Sequence, residues 1–108
     1  GKSLDGFTPI GPCIVTADAF ADYPPRLGIR SFVNGEKRQD SNTALQIFDI
    51  DHVIAELSQG MTLKAGTIIA TGTPAGVGRG MDPPQFLKPG DVVRCEIEGI
   101  GTLTNPVK

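Results

Sequence analysis

No stretch of the 108-residue chain approaches the ~18 consecutive apolar residues of a membrane-spanning helix, and no signal-peptide pattern opens it. Basic charge is scarce. Ten Lys and Arg stand against twelve Asp and Glu, giving a net charge of −2 and a pI of about 5.2. That balance argues against a nucleic-acid or anionic-membrane surface. Histidine occurs once, at His52, and cysteine twice, at Cys13 and Cys95, without metal-site spacing. The two thiols read as buried or idle groups of a reducing, cytoplasmic compartment, with a single disulfide as the other reading. A serine triad finds no histidine motif to draw on. An initiator methionine, an internal repeat and a low-complexity tract are also missing. The chain reads as one entered in mid-sequence, a fragment or processed piece of something longer.

What is present is one small domain's worth of sequence. Leu, Ile, Val and Phe make up 29 residues, well above the disordered regime. Gly (14) and Pro (9) are abundant and favour turns over long helices. Residues 1–12 read as loop. Cys13 to Thr16 reads as a short strand, and Ala17 to Ala21 as one helical turn capped by Thr16 or Asp18. From Leu27 to Val33 the pattern alternates, and Asn34-Gly35 follows as a hairpin turn, since type I′ geometry needs φ > 0 twice. Glu36 to Ser41 is the return strand, charged enough to be an exposed edge or to carry a wet face. Asp49 caps a helix whose apolar positions Ile50, Val53, Ile54 and Leu57 share one side, and Gly60 is its stop. His52, on the polar side of the first turn, is a bystander. Strands are expected over Thr67 to Thr71, Asp91 to Glu98 and Thr102 to Val107, with Val93, Cys95 and Ile97 inward. The sum is mainly β with one or two short helices, arranged as a sandwich or rolled sheet.

The chemistry concentrates after Ile68-Ile69-Ala70. The expected strand runs into Thr71-Gly72-Thr73-Pro74-Ala75-Gly76-Val77-Gly78, delivering hydroxyls and bare backbone N–H groups at its end. Pro74 sets the exit direction. This is a strand end suited to an oxygen-rich ligand, or else a plain Gly/Pro hairpin loop. The loop from Gly72 to Gly90 is long for a compact domain, as functional loops are. Lys2 is the other candidate, a donor to an anionic substrate or a proton relay, or an ordinary surface lysine. Gly1-Lys2-Ser3 imitates the end of a phosphate-binding loop, but Gly6 and Pro9 follow where a helix must start. Glu96 and Glu98 share a strand face and could grip a cation, but with no third ligand nearby they read as an exposed strand face.

Several blocks together carry a resemblance. They are Lys2-Ser3-Leu4-Asp5-Gly6-Phe7-Thr8-Pro9-Ile10-Gly11-Pro12, Val33-Asn34-Gly35-Glu36 with Gln39, Leu57-Ser58 with Thr62-Leu63, Thr71 through Gly78, Leu87-Lys88-Pro89-Gly90-Asp91, and Gly99-Ile100-Gly101-Thr102-Leu103. In this order, over nearly the whole chain, they resemble the C-terminal part of the fumarylacetoacetate hydrolase family. The resemblance implies a mixed β-sandwich roll, of which residues 1–108 form a C-terminal part, a homodimer, and a Mg²⁺ or Mn²⁺ ion. It implies action on small carboxylate substrates, namely 2-oxo acids and related dicarbonyl acids, by C–C hydrolysis, decarboxylation or dienol isomerisation. The ion chelates the 2-oxo acid and stabilises an enolate.

Residue by residue, Lys2 matches the family lysine that reaches the metal-bound carboxylates and the substrate oxygens. Thr73 matches the threonine that holds the substrate carboxylate, helped by the Gly72 backbone. Two departures stand out. Gly6 occupies a position where the family often has threonine, which weakens hydroxyl support for the lysine. The three metal-ligating carboxylates precede the lysine in the family, so the ligands are expected outside this segment and none within it. Glu96 and Glu98 do not match them. A different reading is a non-catalytic β-module whose Gly-rich loop binds a small anion or partner. A narrower one has another chain supply the carboxylates.

Overall fold

The Asn34-Gly35 turn forms as its sequence predicts. In the computed structural model, which describes residue 2 and residues 4–108, Asn34 has φ 51° and Gly35 φ 84°. Both are left-handed, as a type I′ turn demands. The turn joins β1 (Gly28–Val33) to β2 (Glu36–Asn42). On its other side β1 pairs with β3 (Val92–Ile97), which returns as β4 (Gly101–Pro106). The result is one antiparallel sheet in the order β2-β1-β3-β4.

Register sorts the side chains, because directly paired residues project to the same face. One row reads Leu103, Cys95, Ser31, Gln39 across all four strands. With Ile29, Val33, Val93 and Ile97 it makes a mostly apolar face. The opposite face is wet. Arg30 Nε lies 3.2 Å from Asp40 Oδ1, Lys37 Nζ 2.5 Å from Asp40 Oδ2, and Arg94 Nε 3.3 Å from Glu96 Oε1. The Arg94 guanidinium sits 4.1 Å above the Phe32 ring. Lys37, then Arg30, holds the Asp40 carboxyl below its ordinary pKa.

β2 carries one residue too many. Ser31 opposes Gln39 and Phe32 opposes Lys37, leaving Arg38 without a partner. Such a bulge bends the strand and re-aims side chains. Here Arg38 and Gln39, adjacent in sequence, both reach the Gly-rich loop.

The helix α1 (Ile50–Gly60) starts where expected, with the Asp49 side chain accepting from the His52 N–H at 2.7 Å. Ile50, Val53 and Leu57 are half-buried, but Ile54 is 42% exposed. Gly60 does not act as a left-handed stop. It is the last helical residue, and Met61 follows in an extended conformation with φ −146°. His52 stacks on Phe48 with ring centroids 4.7 Å apart. The Tyr23 hydroxyl donates to Asp51 Oδ1 at 3.1 Å, and that carboxylate raises its pKa.

Two expected strands do not form. Cys13 to Thr16 and Thr67 to Thr71 join no ladder. β-branched residues favour extended backbone, but a strand exists only where another lies beside it. Ile68 is 70% exposed. Thr16 precedes a 3₁₀ turn at Ala17–Ala19 but lends it no side-chain bond.

No described residue is fully buried, and the accessible surface is 8480 Å². A compact monomer of this mass shows about 5,800 Å². The radius of gyration is 15.2 Å, against about 13 Å for a compact chain of this length. The apolar sheet face is uncovered. Cys13 and Cys95 are free and exposed, so both the buried-thiol reading and the disulfide give way. Among the described residues no helix is long and apolar enough to cross a membrane.

Candidate active site

The site grows from the β2 bulge. Arg38 Nη1 donates to Gln85 Oε1 and lies 3.1 Å from Met81 Sδ, gripping the far arm of the loop. Gln39 Nε2 donates to Thr73 Oγ1 and to the Pro74 carbonyl, each at 2.8 Å, gripping the near arm. The glycines between allow this contact. A Cβ on Gly76, at φ 103°, would lie 2.1 Å from the Arg38 carbonyl oxygen, and one on Gly78 would lie 1.9 Å from that of Gln85. These two glycines let the loop press on its own protein. Gly72, at φ 106°, is different, because a Cβ there would meet nothing within 4 Å. Open space lies over the residue that precedes Thr73, and Thr73 itself is exposed.

Lys2 is exposed, and its carbonyl oxygen accepts from Thr8 Oγ1 at 2.6 Å. A threonine hydroxyl therefore does brace this segment, from position 8 rather than from the position of Gly6. Gly1 and Ser3, the rest of the phosphate-loop imitation, lie outside the described residues, and no helix follows Lys2. The segment meets the sheet at β4. A Cβ on Gly11 would lie 3.5 Å from Leu103 Cδ1, and one on Gly101 3.2 Å from Pro12 Cγ. Leu103 and Gln39 end the same cross-strand row. Gly11-Pro12 and the Thr73 loop thus meet the sheet at opposite edges, three strand spacings or about 14 Å apart at that row. No hydrogen bond joins Lys2 to Gly72 or Thr73 among the described residues.

The described residues bring no three His, Cys, Asp or Glu together as a metal cage. Glu96 is occupied by Arg94, and Glu98 Oε2 accepts from the Gly28 N–H at 2.9 Å. These two carboxylates, already engaged within the protein, do not fit a divalent ion. Glu98 lies one residue past the end of β3, and both carboxylates line one open surface hollow with Arg30. The residues that sequence reasoning missed are Arg38 and Gln39. Gln39 belongs to one of the family-like blocks but has no role assigned by it, and nothing in the Glu36 to Ser41 run announces a bulge.

The family model for the C-terminal domain of fumarylacetoacetate (FAA) hydrolase matches residues 1–108. A fumarylacetoacetate hydrolase from psychrophilic Exiguobacterium antarcticum superposes with a TM-score of 0.92 at 56% identity, covering 100% of this chain and 38% of its own. A maleylpyruvate hydrolase from Sphingobium sp. SYK-6, solved with manganese (II) ion and pyruvate, gives a TM-score of 0.84 at 43% identity over 98% of this chain and 37% of its own. A Xenopus laevis protein named oxaloacetate tautomerase fahd2, mitochondrial, is 50% identical over 107 residues, 99% of this chain and 33% of that protein. The chain spans about a third of the length of the relatives it matches. With the model matched from end to end and these folds superposed, the chain belongs to the fumarylacetoacetate hydrolase family.

Proposed function

We propose that this chain is the C-terminal part of a longer, divalent-metal-dependent enzyme acting on 2-oxo acids or acylpyruvates. One observation carries the reading. A whole-chain likeness at 43% identity to a maleylpyruvate hydrolase holding manganese and pyruvate coincides with an exposed threonine hydroxyl fixed at a loop end beside open space. In this reading Thr73 Oγ1 donates to the substrate carboxylate and the Gly72 backbone approaches it. The Lys2 ammonium donates to substrate oxygens and holds or moves a proton there. The ion, Mg²⁺ or Mn²⁺, would be held by carboxylates outside this chain, and its charge would stabilise developing negative charge on the 2-oxo acid. Hydrolysis, decarboxylation and isomerisation share that need. On the same reading the longer enzyme is a homodimer in a reducing, cytoplasmic setting.

The test is kinetic and uses the full-length protein with Mg²⁺ or Mn²⁺, on acylpyruvates and oxaloacetate. Lys2→Ala lowers kcat by about 10²–10⁴-fold, the range for a lost proton-transfer group. Thr73→Ala mainly raises KM, by roughly 10-fold or more, the worth of a hydrogen bond to a charged group. The reverse pattern would overturn both roles. Turnover by the 108-residue chain alone would show that the metal site has been misplaced.

A further inference from the structure

The Gln39 amide makes three hydrogen bonds, and their polarity is forced. The Pro74 carbonyl has no hydrogen to give, so the group facing it at 2.8 Å must be the NH₂ end. Oε1 then faces the sheet and accepts from Ser31 Oγ at 2.8 Å. The second N–H of Nε2 points at Thr73 Oγ1, also at 2.8 Å. Thr73 Oγ1 is therefore an acceptor on its protein side. Its own hydrogen is given to no described residue, and the side chain is exposed.

We propose that Gln39 is a positioning residue that turns the Thr73 hydroxyl outward as a hydrogen-bond donor, so that this loop end favours a carboxylate oxygen. The inference rests on the proposed contact between Thr73 and the substrate carboxylate, and adds what sets the direction of that contact. A free hydroxyl rotates to suit whatever meets it. One already receiving an N–H turns its hydrogen away from that donor, and the chain from Ser31 through Gln39 supplies that bias from β1 and β2. The bulge at Arg38 gives Gln39 its reach.

A double-mutant cycle separates this from simple loop support. The full-length protein is loaded with Mn²⁺, and its affinities for pyruvate and for the uncharged analogue pyruvamide are measured calorimetrically. Thr73→Ala weakens pyruvate tenfold or more. Gln39→Met, which removes donor and acceptor without adding charge, weakens it threefold or more and lowers the pyruvate-to-pyruvamide ratio. The double variant binds pyruvate no more weakly than Thr73→Ala alone, because the action of Gln39 runs through that hydroxyl. If Gln39→Met changes nothing, or its effect persists in full without the hydroxyl, the proposal fails and the Thr73 contact stands. If Thr73→Ala leaves pyruvate binding intact, the contact itself fails and takes the proposal with it. Should Gln39→Met not fold, Ser31→Ala frees the other end of the amide. It must then give a loss of pyruvate affinity that likewise vanishes without the hydroxyl, and any other result overturns the proposal.

Discussion

Gly76 shows how one missing side chain places another. Its φ of 103° is unfavourable for any residue with a Cβ, and that Cβ would sit 2.1 Å from the Arg38 carbonyl oxygen. The obstacle is backbone, so it cannot swing aside as a side chain would. Gly76→Ala should destabilise the full-length protein by about 2–4 kcal/mol, the sum of overpacking and a left-handed φ, and should raise KM by displacing Thr73. Thermal melting and steady-state kinetics check both. An unchanged midpoint would mean that the loop does not lie on β2. At this scale the sequence was partly legible. Thr73 and Gly72 stand out because hydroxyls and glycines cluster after Ile68 and Ile69. Gln39 does not, because its role depends on an unpaired Arg38, and a bulge leaves no periodic mark in so charged a run.

Among elements, the legible ones are those built from contacts close in sequence. The Asn34-Gly35 hairpin and the Asp49-capped helix each carry their instructions within a few residues, and each forms. Thr67 to Thr71 has the residues of a strand but needs a neighbour distant in sequence, and among the described residues it has none. The hairpin turn is also tied to β3. Asn34 Nδ2 donates to Asp91 Oδ1 at 2.8 Å, Asn34 Oδ1 accepts from the Val92 N–H at 2.9 Å, and Asp91 Oδ2 accepts from the Lys88 N–H at 2.8 Å. The Asn34 amide, then the Lys88 backbone, holds the Asp91 carboxyl below its ordinary pKa. A carboxyl whose pKa is lower folded than unfolded stabilises the fold above its ordinary value and loses that contribution as pH falls through the folded one. Asp91→Ala should therefore lower the melting temperature of the full-length protein at neutral pH, and the gap to wild type should narrow as pH falls below the ordinary carboxylate range. A gap independent of pH would mean that the clamp is not ionic.

At the scale of the whole molecule, surface decides. The excess of the observed 8480 Å² over the compact expectation is about 2,700 Å², more than the ~1,600 Å² that a standard interface removes from two partners together. Ile14 is 88% exposed, Ile47 92%, and Phe7, Phe48 and Phe86 are each at least 60% exposed. Large apolar side chains are thus left open at several points of the surface. The β-rich composition made the class of fold readable, but composition counts apolar residues without saying what covers them. Here the most exposed ones lie in the loops around the sheet, and the described chain leaves them bare. Covering these residues and supplying the rest of the site both fall to the remainder of the longer protein in the proposed reading. The 108-residue chain on its own should bind a hydrophobic reporter dye, self-associate in sedimentation as concentration rises, and turn over neither oxaloacetate nor acylpyruvates with Mn²⁺. Joined to the rest of the full-length protein it should lose dye binding and gain turnover together. A monomer that melts sharply without binding dye would separate stability from that covering, and activity in such a monomer would place the whole site within these residues.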